Sequence, residues 1–190
     1  MAYVYHRKHD LRGTVLLPLN ALATVHPDVY ATAKAKYAGR ERLMEYVIPL
    51  LGVRWNDVVH CAPIHPHLVY TAWREAGGAP RSTEWFKIPV ERLPAERTVW
   101  FGYRTDFSPD AGELPPDADF EAFDPARFRE LEGLPAATLA AYREQLALGR
   151  LPLRFVRVPH VLVAGPIDVA DLEEIEWSSP PDGVAERMMR

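Results

Sequence analysis

Residues Val58–Tyr70 read VVHCAPIHPHLVY. Two valines open the run as a strand, and Pro63 and Pro66 forbid its continuation as a central one. Pro66 can instead start a helix, and the following text, ending at Gly77 and Gly78, supplies the helix stop. Leu68, Ala72 and Ala76 then fall one turn apart on one face of that helix. A strand that breaks into a helix is therefore the local unit. Three of the chain's seven histidines and its single cysteine lie inside it.

Working outward, AYVY reads as a short strand leading into HRKHD, and LRGTVLLPLNAL as loop and short strand. HPDVYATAKAKYAGRERLMEY reads as a helix started by Pro27 or Asp28 and interrupted at Gly39 before a second helical turn. IPLLGVRWNDVVHCAP reads as strand, turn, strand. EWFKIPV and RTVWFGY are two further strands joined by a polar, proline-bearing turn, and Ser108–Asp124 reads as a long acidic surface loop. PARFRELEG and PAATLAAYREQLALG both look helical, each entered at a proline and left at a glycine. LRFVRVPHVLVAGPID and LEEIEWS return to strand. The steady strand–helix alternation of a doubly wound sheet is missing. The expectation is an α+β fold, a single domain over 1–177 around a bent, mostly antiparallel sheet, with a flexible tail over 178–190.

At 190 residues, 48% apolar and 25% charged, the chain is sized and balanced for one packed core. A net charge of −4 creates no global attraction for nucleic acid, so such a partner needs a local basic patch. Lys34, Lys36, Arg40 and Arg42 are the candidate patch, and read equally as a solvated helix surface. One cysteine makes no internal disulfide, which suits a reducing cytoplasm. Apolar runs such as YVIPLLGV fall far short of the roughly 20 residues that span a bilayer. A soluble, cytoplasmic chain without a membrane partner is expected.

Imidazoles dominate the candidates for chemistry. His65-Pro66-His67 is an H-x-H pair, with His60 or Cys61 as a third ligand, and a metal-dependent hydrolase is one reading of it. The other reading puts His65 in the turn before the helix and His67 on its first turn, and no metal is assigned. His160 follows an alternating run in which it shares a face with Val156 and Val158, an environment where a polar ring needs a partner. At the N-terminus, Tyr5-His6-Arg7 combines a ring with a guanidinium suited to phosphate. Asp57 is placed either to pair with His60 or to cap a turn.

Taken in order, these blocks resemble the DarT-type ADP-ribosyltransferases, which transfer ADP-ribose from NAD to a DNA base. Tyr5 and His6 match that family's first strand. Asp57 followed by Ala62, Pro63, Pro66, Leu68 and Tyr70 matches its central motif, and His160 to Val163 with Gly165 and Pro166 matches its last. Ile64 stands where the family has its catalytic arginine, His160 where it has its glutamate, and Lys8 where a threonine is common. The histidine in the last strand is also similar to that of RNA 2′-phosphotransferases.

The resemblance implies an ADP-ribosyltransferase-like scaffold, NAD as substrate and nucleic acid as acceptor. It implies His6 and Arg7 on ribose and phosphate, Arg157 adding charge, Tyr70 stacking on nicotinamide, and His65 or His160 as general base. The changes at Ile64 and His160 keep a second reading open, a non-catalytic nucleotide-binding protein on the same scaffold.

Overall fold

Alternating burial along the N-terminal strand sets the architecture. In a computed structural model describing residues 1–8, 11–107 and 112–181, β1 (Tyr3–Arg7) buries Val4 and Tyr5. It pairs antiparallel with β4 (Glu84–Pro89), which pairs antiparallel with β9 (Glu173–Glu176). A second antiparallel sheet runs β3 (Val58–Cys61), β7 (His160–Ala164), β5 (Thr98–Phe101), β6 (Phe120–Ala122). The two join where Tyr5 and Ala62 exchange both backbone hydrogen bonds, at 2.8 and 2.7 Å. The result is one bent antiparallel array in an α+β fold, with a short ribbon of β2 (Val15–Leu16) and β8 (Ile167–Asp168) beside it.

Period-two alternation divides the core. Val59, Cys61, Val161 and Val163 point to one side, packing with Val4, Phe86 and Ile88. Val58, Leu162, Val99 and Phe101 point to the other, under Tyr37, Leu43, Met44 and Ile48. That second cover comes from α1 (Leu19–Val25), α2 (Pro27–Lys34), a 3₁₀ turn Ala35–Tyr37 and α3 (Glu41–Met44). Gly39 breaks this helical stretch at φ +79°, as its position suggested. On the β1 side, α4 (Pro66–Glu75) packs its Val69, Ala72 and Trp73, and α5 (Ala136–Ala147) meets it through Tyr142.

Several local expectations are corrected. Leu19–Val25 is helix where loop and strand were expected, since Pro18 precedes its first turn and removes no intrahelical bond. Ile48–Leu51 is a turn, with Leu50 at φ +68°, and only the Val47–Arg54 bridge remains of the expected strand. PARFRELEG forms turns, because Phe128 is held in the core and Leu131 donates its N–H to the Pro63 carbonyl at 2.7 Å. The described part of the acidic loop contains β6, anchored by buried Phe120 and Phe123. Residues 154–157 turn rather than extend, so His160 shares its face with Leu162 and not with Val156 and Val158. The rest of the acidic loop at 108–111, His9 and Asp10, and the tail over 182–190 lie outside the described residues. No helix among the described residues is long and apolar enough to cross a membrane.

Candidate functional site

Strand register brings two histidines together. His60 lies opposite Leu162 and His160 opposite Phe101, so the two imidazoles are diagonal neighbours on one face of the sheet. Their rings stand 6.0 Å apart, nearly perpendicular. Trp55 at 4.9 Å from His60, Phe155 at 5.8 Å from His160 and Phe101 at 6.4 Å from His160 wall them in.

Hydrogen bonding fixes one tautomer. His60 Nε2–H donates to the Trp55 carbonyl at 3.0 Å, which leaves Nδ1 as the lone-pair nitrogen. His160 Nδ1 is buried with no hydrogen-bond partner among the described residues. Burial first, and then the charge of His160, pushes His60 down to about 3, against the favourable Trp55 backbone contact. Burial likewise pushes His160 down to about 4, partly offset by the Val158 backbone. Both residues are half-buried. At neutral pH the pair is two uncharged imidazoles, able to accept a proton or bond a hydroxyl.

Cations lie near the pair. Lys36 acts electrostatically on both histidines, and its own ammonium is pushed down by burial and by Arg40. Lys36 is nonetheless an exposed residue. Lys36 Nζ and Arg40 Cζ lie 5.2 and 5.9 Å from the ring of Tyr37, whose phenol burial pushes up to about 12. Of the four basic residues expected as a patch, Lys36 acts on the pair and Arg40 acts on Lys36. Lys34 lies over Tyr30 at 5.5 Å, and Arg42 bonds the Gly112 carbonyl at 2.9 Å.

The other expected site residues distribute unevenly. His6, opposite Phe86 on β1, sits close enough for its charge to act on His60. Arg7 lies opposite Trp85. His65 caps α4, its Nδ1 accepting the His67 N–H at 3.2 Å, and its ring meets Tyr5 edge-on at 5.2 Å. Tyr5 and His6 alternate across β1, so the ring that joins His160 is His60 rather than His65. Tyr70 stacks on His67 at 6.0 Å and meets Trp177 at 5.5 Å, on the α4 side. Arg157, at φ +59° in the turn before β7, pairs with Asp106 at 3.2 Å. Asp57 takes the capping role, accepting from Asn20 Nδ2 at 2.7 Å and the Arg54 N–H at 3.1 Å. Among the described residues no group of three histidine, cysteine or carboxylate side chains is arranged to hold a metal, His60, His65 and His67 included.

Sequence reading missed Phe101 and Phe155 as walls, since only the register of β5 against β7 and the turn before β7 bring them there. It also missed Asn56, whose amide is 1% exposed and has neither atom hydrogen-bonded among the described residues. Two shallow depressions on the helical surface, one around Arg12 and Asp28 and one around Arg42 and Tyr46, touch neither histidine of the pair. Comparison of the chain with family models, curated proteins and solved structures gave no match.

Proposed function

We propose that the chain is an NAD-using, ADP-ribosyltransferase-like protein whose dinucleotide binds at His60 and His160, with nucleic acid as acceptor. One observation carries this reading: a pair of neutral imidazoles on adjacent antiparallel strands, 6.0 Å apart, lies within the field of Lys36. That cation suits the negative pyrophosphate, and the aromatic walls suit planar rings. His6 and His60 supply hydrogen bonds for ribose hydroxyls. Breaking the ribose C1′–nicotinamide bond expels neutral nicotinamide, and the acceptor that bonds to C1′ gives up its proton to His160 Nε2.

A second reading, nucleotide binding without turnover, is favoured by Ile64. That residue stands at the position of the related family's catalytic arginine and is 0% exposed, packed with Tyr5, Val69 and Trp85. Calorimetry with NAD followed by a nicotinamide-release assay separates the two. Binding with release that is lost in His160→Ala supports the transferase. Binding without release supports the binder, and absence of binding overturns both.

A further inference from the structure

The segment that leaves α5 holds leucines in water. Leu148 is 59% exposed, Leu151 84% and Leu153 49%. Three of the seven large apolar side chains exposed among the described residues therefore lie within six positions. Loose chain does not account for them. Gly149, at φ +67°, stops the helix, and the Arg150 N–H closes on the Gln145 carbonyl at 2.9 Å, which fixes where the backbone turns. Two residues on, Pro152 is buried, and the hydroxyl of fully buried Tyr142 donates to the Arg154 carbonyl. Exposure alternates along Leu151-Pro152-Leu153, so both leucines stand on the outer side of a segment pinned at each end. Leucines held outward in this way form an apolar patch, and such patches mark surfaces that are covered by something else.

The charges around the leucines select what covers them. Arg143–Arg157 contains four arginines and a single carboxylate, Glu144, in a chain of net charge −4. Arg157 is paired with Asp106. Arg143 and Arg150 are exposed and form no ion pair among the described residues. Protruding leucines beside unpaired guanidiniums suit a surface that is anionic outside and apolar beneath, which is the layering of an acidic lipid bilayer. Leucine side chains enter the acyl boundary while long arginine stems keep their charged heads among the phosphates. A second copy of the chain fits less well, since a two-fold contact through the leucines brings the Arg150 guanidiniums of both copies close together. A peptide needs a groove to lie in, and the depressions around Arg12 and around Arg42 are lined by other residues.

We propose that Leu148, Leu151 and Leu153, flanked by Arg143 and Arg150, dock the protein on an anionic membrane surface. The contact lies on the bilayer and needs no spanning helix. The length of apolar runs, from which no membrane partner was expected, detects only segments that cross. The docking surface goes beyond the reading of the histidine pair and does not depend on it.

The test sediments the full chain with two kinds of vesicle, phosphatidylcholine alone and phosphatidylcholine with phosphatidylserine in equal parts. Wild type is expected to bind the mixed vesicles, and the neutral ones roughly tenfold more weakly. Leu151→Ser with Leu153→Ser, and separately Arg143→Gln with Arg150→Gln, are each expected to lose roughly tenfold on the mixed vesicles. No binding by wild type, equal binding to both vesicles, or a variant that binds like wild type overturns the proposal. A dimer in lipid-free solution that the double serine variant dissociates assigns the leucines to a second copy and overturns it as well. Should a variant fail to fold by circular dichroism, wild type in high salt decides. Release from the mixed vesicles is expected there, and binding that ignores salt overturns the anionic surface. NAD plays no part in the readout, so failure here and failure of the transferase reading are distinct.

Discussion

Tyr5 and Ala62 hold the two sheets together through a reciprocal pair of backbone hydrogen bonds. β1 bonds β4 along its other edge, so this pair is the junction at which the array bends. The bend puts the His6 face of β1 beside the sheet that carries His60 and His160. Ala62 is 2% exposed, and water does not replace a bond lost there.

Ala62→Pro removes the N–H that Tyr5 accepts. The expected cost is about 2 kcal/mol or more, read as a lower denaturation midpoint in urea. Ala62→Ser keeps the donor and is expected to lose less. Equal losses for the two would show that side-chain crowding, not the backbone bond, sets the stability of the junction.

Tyr5 also anchors the segment after β6. Its hydroxyl donates to Glu130 Oε2 at 2.8 Å, while Glu130 Oε1 accepts the Tyr3 N–H at 2.9 Å. Burial and the Glu130 charge both push the Tyr5 phenol well above its usual value. Tyr5→Phe leaves the half-buried carboxylate short of a donor, and a loss of about 1–2 kcal/mol in thermal or chemical unfolding is expected. Glu130→Gln, which retains an acceptor, is expected to cost less.

Cys61 is 0% exposed, and burial pushes its thiol up to about 12. The thiolate is the reactive species, so the native protein is expected to show almost no reaction with a disulfide reagent at pH 8. One full equivalent should react after unfolding in guanidinium. Rapid native reaction would show that β3 opens readily.

Much of this was legible in the chain because its signals are local. Pro66 and the Gly77–Gly78 stop fixed α4, and the β-branched and aromatic runs fixed β4 and β5. PARFRELEG failed because propensity is a weak prior, and a buried Phe128 with a long-range bond from Leu131 outweighs it. At the site, His160 was visible as a polar ring among valines. Its neighbour was not. His60 and His160 are separated by about half of the chain, and their meeting depends on a register in which Cys61 pairs with Val161. No periodicity within either strand encodes that pairing.

The histidine pair makes stability pH-dependent in a definite direction. Unfolded imidazoles take up protons near pH 6.5, whereas His60 and His160 resist until about 3 and 4. Between those limits the unfolded chain binds more protons, so stability is complete above about pH 6.5 and falls as the pH drops through that window. Lys36 and His6, which act on the pair, add positive charge and steepen the effect. A fall in Tm of about 5 °C from pH 7.5 to pH 5.5 is expected. A flat profile would mean that the rings are solvated.

His160→Phe separates stability from function. Phenylalanine has a similar shape, removes the buried Nδ1 that lacks a partner, and lies between Phe101 and Phe155. Replacing an unsatisfied polar atom with an apolar one is expected to stabilise the fold by about 1 kcal/mol at pH 7. The gain should widen at pH 5.5, because only His60 then remains to be protonated in the unfolded chain. The variant is therefore expected to melt higher than wild type while losing NAD affinity and any nicotinamide release. A variant that melts lower would show that the imidazole is itself a packing element, with its hydrogen bond made through a water to the Val158 backbone.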